Sequence, residues 1–359
     1  MSRLRVALDG RPLQSRPLGG VGRYLAGTLP VLAEEVEVWV VLDGRRPKPV
    51  ALDPRVETVW LSAPPGVPGL GWLELAVTPW LRRFGGLFHA TFNTLPMSFA
   101  GRGVLTLHDL APQRHAEDFR PLTRAAWRLY MRASVARARA ITTVSQFAKG
   151  QIVEHFGLDA GRVHVAPDAV DPHFDPGRAT AAPALARSLG IGTPYIVALG
   201  GAPRRGLPVA LEAWRQARRE LGGELSLAVL GERALPAQPG LHPLPPLDDE
   251  TWATLLAGAQ ALCYPTRYEG FGLPALEALA SGTPVVCAPV ASLPEVLGDA
   301  ACWAPSPAAE AMVPVLVELI RDRAWHEERR QAGLARARAA ASWRDSAGVL
   351  LQAYERAAA

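Results

Sequence analysis

The stretch Tyr264–Val296, YPTRYEGFGLPALEALASGTPVVCAPVASLPEV, decides how the rest of the chain is read. It begins at the end of a short apolar strand, 261–264, which Pro265 closes. Glu269 then precedes a turn in which Gly270 and Gly272 flank Phe271, with Leu273 behind it. Pro274 suits the first position of a helix, because its fixed φ is helical and its missing N–H is not needed there. That helix is expected to stop at Ser281-Gly282, where glycine can take the left-handed C-cap conformation. Val285, Val286 and Cys287 follow as a buried strand, so the unit reads strand, glycine turn, helix, strand.

Glycines in such a turn free backbone N–H groups beside the positive end of a helix, which makes an anion site. Glu269 stands before the turn, and Glu277 is expected in the helix's first turn, where the dipole favours a carboxylate. Two carboxylates bracketing a phosphate-binding turn suit a ligand with hydroxyls on either side of its phosphates, such as a nucleotide sugar. The plainer alternative is one capping glutamate and one solvent-exposed glutamate. The run E-G-F-G-L-P-x-L-E-A-x-A-x-G-x-P-V-V resembles the signature of the retaining glycosyltransferases of GT-B fold, the large group 1 family that includes bacterial mannosyl- and glucosyltransferases.

Upstream of this stretch, Tyr195–Leu199 reads as a strand and Gly200-Gly201-Ala202-Pro203-Arg204-Arg205 as the loop before a helix over 207–221. The family it resembles has Arg-Lys where this chain has Arg204-Arg205. Arginine still offers a permanent cation and a two-pronged fork for phosphate oxygens. A solvated basic turn is the other reading.

Near the N-terminus, a strand over 4–8 leads into a loop holding Gly19, Gly20 and Gly22, with a helix expected from about Arg23. Gly-Gly-Val-Gly is not the G-x-G-x-x-G dinucleotide fingerprint, which disfavours an NAD oxidoreductase. The glycines are either a tight turn needing positive φ or, as the resemblance implies, a backbone approach to the donor diphosphate or the acceptor. A strand over 104–107 delivers His108-Asp109 at its carboxyl end, where ligands bind in open α/β sheets. In the family a histidine at this place reaches toward the donor sugar. The competing reading is a histidine-aspartate cap in a turn.

At 359 residues, half of them apolar, the chain can build two cores. Alternating strands and helices in both halves argue for α/β architecture, two doubly wound parallel sheets. The resemblance implies GT-B: two Rossmann-like domains facing across a cleft, with the last helix crossing back to the first. The expected division is 1–168, plus the helix 343–359, as the acceptor-side domain and 169–342 as the nucleotide-sugar domain. At the junction the chain has Asp168-Ala169 where family members commonly have Asn-Gly, and alanine tolerates positive φ poorly. Residues 173–194 show little pattern. Further on, Asp248 is expected to cap a helix, Ser292 and Glu295 to form a capping box, and three helices to close the chain over 308–323, 325–341 and 343–357.

Cys263, Cys287 and Cys302 have no metal-ligand spacing and read as reduced core residues. No 18-residue apolar run exists, and MSRLRVALDG enters a charged strand with no signal-type apolar region, so a cytoplasmic enzyme is expected. Residues 1–168 hold 21 Lys+Arg against 14 Asp+Glu, net +7; residues 169–359 hold 17 against 20, net −3. Residues 120–140 form a helix without an acid, on which Arg120, Arg124, Arg128 and Arg132 repeat at four. That stripe suits an anionic lipid at the inner face of the membrane or an anionic acceptor; an ordinary arginine-rich solvated face is the alternative.

The resemblance thus implies transfer of a sugar from a nucleotide-diphosphate donor (GDP-mannose or UDP-sugar type) to the hydroxyl of a glycan or lipid-linked acceptor, with retention. No separate cofactor and no metal are expected, in keeping with the missing Asp-x-Asp pair, and no nucleic-acid partner. Glu269 would hold the donor sugar, Glu277 the ribose, and His108 the sugar or the reacting centre. A sugar phosphorylase, a nucleotide-sugar epimerase or a non-catalytic nucleotide-sugar-binding protein are the rival classes.

Overall fold

The computed structural model describes residues 3–49, 51–114 and 121–359. The chain divides into two compact units, Met1–Ala169 with Ala341–Ala359, and Val170–Ala340. Each unit carries its own parallel, Rossmann-like sheet, the architecture that the resemblance implies.

The first unit is built on seven strands: β1 (Arg5–Asp9), β2 (Glu37–Asp43), β3 (Glu57–Leu61), β4 (Leu87–Ala90), β5 (Gly103–Thr106), β6 (Ala140–Thr143) and β7 (Val163–Val165). They lie in the order β3-β2-β1-β4-β5-β6-β7, each neighbouring pair parallel. Parallel strands are covered on both faces, so they read as unbroken apolar runs; every residue of β4, β5 and β6 is buried. Strand order reverses between β1 and β4. A crevice opens at such a reversal, outside the carboxyl ends of the strands. The helix Gly20–Glu35 starts there after β1, and His108 follows β5.

The final helix, Trp343–Ala358, belongs to this unit and packs on Gly20–Glu35. A Cβ on Gly27 would lie 2.3 Å from the Trp343 ring, so glycine is what lets that ring settle against the helix. Ser342 and Asp345 cap the final helix reciprocally. The Tyr354 hydroxyl reaches back to His89 Nδ1 at 2.7 Å.

The second unit holds β8 (Tyr195–Leu199), β9 (Ser226–Leu230), β10 (Leu241–Leu244), β11 (Leu262–Tyr264), β12 (Val285–Cys287) and β13 (Cys302–Trp303), in the order β10-β9-β8-β11-β12-β13 and again parallel. Its reversal lies between β8 and β11, so the loop after β8 and the loop after β11 meet. Those are the Arg204-Arg205 loop and the Glu269 loop.

Several elements escape the sequence pattern. β10, not among the elements expected from the sequence, contains Pro243 and is an edge strand, where a missing N–H costs little. Residues 173–194 contain a 3-10 turn, Pro176–Thr180, and a helix, Ala182–Ser188, packed on Asp249–Ala257. Ala169 is buried and does not take positive φ, so the Asp168-Ala169 junction needs no glycine. Ser292 and Glu295 do not form the expected capping box: Ser292 is already helical (φ −79°, ψ −10°) and its hydroxyl is committed elsewhere.

Candidate active site

In the second unit the site grows from the end of β11. Pro265 stops the strand, and the chain loops to Gly272, whose φ of 99° starts the helix Leu273–Ala280. A Cβ on Gly272 would lie 2.6 Å from Leu293 Cδ2, so both backbone angle and space select glycine there. Gly270 does not take positive φ. Phe271 and Leu273 turn inward and are buried, holding the turn to the core. Ser292 Oγ donates to the carbonyls of Glu269 (3.0 Å) and Phe271 (2.8 Å), which pins the turn from outside.

Between those pins the Glu269 side chain stands half-buried, and the Tyr264 hydroxyl donates to its Oε1 at 2.5 Å. Burial and the neighbouring Glu269 raise the Tyr264 phenol well above its ordinary range, while Arg205 and Arg204 act against them. Glu269, Arg205 and Arg204 thus all act on the Tyr264 hydroxyl.

The basic turn Pro203–Arg205 is stitched to this loop by the backbone. Arg267 N donates to Arg204 O at 2.8 Å, and Thr266 Oγ1 donates to the same oxygen at 3.3 Å. Gly206 sits at φ 71°, and a Cβ there would come within 2.3 Å of Pro265 O. No side chain fits between the two loops. Arg205 Nη1 donates to Gly200 O at 3.0 Å, and Glu232 Oε1 accepts from Gly201 N at 3.1 Å.

Glu277 is placed differently from its expected position. It is the fifth residue of Leu273–Ala280, beyond the first turn, and only 1% exposed. Trp252 Nε1, from Asp249–Ala257, donates to its Oε2 at 3.3 Å. A buried carboxylate needs such donors, because leaving it unpaired costs more than the bond returns. Tyr264 and Trp252 are thus two contributors that no motif reveals: an aromatic residue in an apolar run looks like core, and both are core as well.

In the first unit, His108 lies two residues past β5 and is nearly buried. Its Nε2 donates to Thr91 O at 3.0 Å, since a carbonyl can only accept; its backbone N–H donates to Asn93 Oδ1 at 3.1 Å. The ring edge packs against Tyr24 at 5.3 Å. Burial pulls its pKa down to about 4, although the Thr91 bond acts the other way. The ring is therefore neutral near pH 7, with Nδ1 as its acceptor nitrogen. Asp109 Oδ1 accepts from Ala111 N at 2.9 Å, so the aspartate caps its own turn.

Gly20 and Gly22 are not in a loop, and neither takes positive φ. They lie in the first turn of Gly20–Glu35, with Gly19 before it and no side-chain cap. The reason for glycine at 22 is proximity: a Cβ would lie 2.8 Å from Pro12 O. A pocket of about 190 Å³ opens there, lined among others by Arg11, Arg46, Gly19, Gly20 and Phe92. The free N–H groups of that first turn face oxygen-bearing groups well. Arg11 is committed to Asp9 at 2.5 Å and to Gly69 O at 2.9 Å, so it shapes the pocket wall.

The arginine-rich helix spans Pro121–Arg137; Arg120 lies outside the described residues. Arg128 and Arg132 are exposed, Arg124 partly so, and Leu129 beside them is 58% exposed. Burial first, then Arg114, Arg132 and Arg128, lower the pKa of His155, while Glu154, paired with Arg114 at 3.7 Å, acts the other way. Among the described residues no helix is long and apolar enough to cross a membrane, and no cluster of three His, Cys, Asp or Glu could hold a metal ion.

Residues 193–322 match the family model of the glycosyl transferases group 1, and residues 18–174 that of Glycosyltransferase Family 4. The chain is similar to O-antigen chain mannosyltransferase B of Escherichia coli, 29% identical over 71% of this chain and 70% of that one. It is similar also to the MMP alpha-(1->4)-mannosyltransferase of Mycolicibacterium hassiacum, 33% identical over 61% of this chain and 54% of the relative. Among solved structures, sucrose-phosphate synthase from Thermosynechococcus elongatus shares the fold with a TM-score of 0.75, at 20% identity over 98% of each chain. With each unit matched by its own family model and the Glu269–Glu277 signature in place, the chain belongs to the group 1, family 4 glycosyltransferases and is an enzyme that transfers a sugar.

Proposed function

We propose that this glycosyltransferase moves a hexose, mannose foremost, from a nucleotide-diphosphate sugar to an acceptor hydroxyl with retention and without a metal ion. The observation that carries this reading is the joining of Glu269 to Arg204 and Arg205 through Tyr264 and the shared backbone bonds of their loops. A diphosphate leaving group needs positive charge, and two arginines with the N–H groups around Gly270 and Gly272 supply it in a fixed arrangement. Glu269 receives hydroxyls of the donor sugar, and Glu277 the ribose. His108, neutral and with Nδ1 as acceptor, takes a hydroxyl of the sugar at the reacting centre. Gly20 and Gly22 present backbone N–H groups to the donor phosphates or the acceptor. The transition state is oxocarbenium-like, and the acceptor's proton passes to the departing phosphate. Mannose as the sugar is supported by the names of the two relatives; GDP-mannose and UDP-sugars are the donors to try first.

The first unit takes the acceptor, and its net +7 with the exposed arginines of Pro121–Arg137 fits an anionic one, lipid-linked at the inner face of the cytoplasmic membrane. The test is thermal unfolding with GDP-, UDP- and ADP-sugars, followed by donor turnover in excess EDTA and NMR of the product's anomeric configuration. A ligand at about 100 times its Kd stabilises by about 2.7 kcal/mol, a shift easily seen. One nucleotide class should stabilise, turnover should persist in EDTA, and configuration should be retained. No shift with any nucleotide sugar, or a loss of turnover restored by added metal, overturns the reading.

A further inference from the structure

Two buried tyrosines of the second unit spend their hydroxyls in different ways. Tyr195 donates to the backbone carbonyl of Leu255 at 2.8 Å, the ordinary way for a core tyrosine to satisfy its polar end. Tyr264 is equally inaccessible, yet its hydroxyl goes to a carboxylate, Glu269 Oε1, on the loop that its own strand feeds. Glu269 is half open, its backbone carbonyl is held by Ser292, and no partner among the described residues takes its Oε2. A glutamate on a loop has three rotatable side-chain bonds and would otherwise sample several rotamers. Here one oxygen is tied to the rigid end of β11, and the other is left for a ligand.

We propose that Tyr264 is a positioning residue for sugar transfer: its hydroxyl fixes Glu269 so that Oε2 meets a hydroxyl of the donor sugar before the donor arrives. The inference rests on the reading of Glu269 as the donor-sugar ligand. The phenol is a reliable donor for this purpose, since burial keeps its proton on. Pre-orientation of this kind acts on turnover more than on affinity, because the nucleotide's phosphates and ribose are held elsewhere.

The test is steady-state donor turnover by wild type, Tyr264→Phe, Glu269→Ala and the double variant, with thermal unfolding of each. Phenylalanine keeps the ring that fills the core and removes only the hydroxyl. A bond to a charged group corresponds to about tenfold or more in rate. Tyr264→Phe should therefore lower kcat by about tenfold, with donor KM unchanged within about threefold and a cooperative unfolding transition near that of wild type. In the Glu269→Ala background the same change should have no further effect, since the phenol acts only through the carboxylate. If Glu269→Ala is impaired while Tyr264→Phe keeps wild-type turnover, or if the two losses multiply, the positioning role is wrong and the Glu269 reading stands. If Glu269→Ala itself turns over like wild type, the reading of Glu269 falls and this inference with it.

Discussion

The two units hold their titratable side chains by different means. In the second unit side chains hold the two glutamates, Tyr264 donating to Glu269 and Trp252 to Glu277, while a backbone bond sews the arginine turn to the glutamate loop. In the first unit the backbone does the holding: His108 is fixed through Thr91 O and packed on Tyr24, and the glycines offer the start of a helix. The difference follows from charge. Carboxylates must keep strong donors to stay ionised when covered, and a neutral imidazole needs only one acceptor for its N–H. The second unit thus presents carboxyl and guanidinium groups, and the first a neutral ring.

The largest expected consequence is on acid stability. Burial lowers His108 to about 4, and burial together with His108 lowers His89 to about 3, against an ordinary value of 6.5. Between those limits the unfolded chain binds protons that the folded chain refuses. Stability is therefore fully present above pH 6.5 and is lost as pH falls toward 4 and below. His108 alone contributes about 3 kcal/mol over that window. Thermal unfolding from pH 7.5 to 4 should show the transition temperature dropping from about pH 6.5 downward. A transition flat from pH 7 to 5 would show that these rings are not held neutral. The same ring state means that His108 should add no limb near pH 6.5 to the pH profile of turnover.

Next in size is the contrast between the two glutamates. Glu269 is half open on a loop and Glu277 is sealed in a helix beside Trp252, so their losses should differ in kind. Glu269→Ala should mainly lower kcat, and Glu277→Ala should mainly weaken binding of the nucleotide, each by about 1.5–3 kcal/mol. Glu277→Ala should also lower the unfolding temperature, because it leaves the Trp252 N–H without its acceptor. Initial rates against donor concentration, with nucleotide binding by calorimetry, separate the two. Equal effects on kcat and on binding from both variants would erase the distinction.

The same contrast explains what could be read from sequence. Each site segment of the second unit is contiguous and carries its own glycine, proline and charge signals, and the topology-switch rule brings the 204–205 and 269 loops together. In the first unit the site comes from scattered pieces, Gly20–Gly22, Thr91, Asn93 and His108, and its glycines mislead. Gly22 is needed for closeness to Pro12 O and not for positive φ, a distinction no single sequence displays. Ser292 does not cap its helix because its hydroxyl serves the Glu269–Phe271 turn. Tyr264 and Trp252 were invisible as site residues because polar ends of aromatics are spent on partners only the fold supplies.

The smallest expected effect, per residue, sharpens the comparison at the level of net charge, +7 in residues 1–168 against −3 in the rest. Arg128 and Arg132 project from Pro121–Arg137 beside the exposed Leu129, and Arg114 adds to the same field at His155. Each basic residue near an anionic bilayer contributes about 1 kcal/mol, so three arginines give reversible attachment without an anchor. An exposed leucine among them adds an apolar contact with the interface. Attraction of this kind is screened beyond about 8 Å at physiological ionic strength, so it should fade as salt rises. Co-sedimentation with vesicles containing phosphatidylserine should carry wild type into the pellet at low salt and release it at high salt. Neutral vesicles should leave it in the supernatant. Changing Arg124, Arg128 and Arg132 to Gln should abolish pelleting while binding of the donor nucleotide sugar is kept, since these residues lie outside the proposed donor site. Wild type that stays in the supernatant with anionic vesicles at low salt would leave the stripe a solvated face, and the acceptor would then be a soluble glycan.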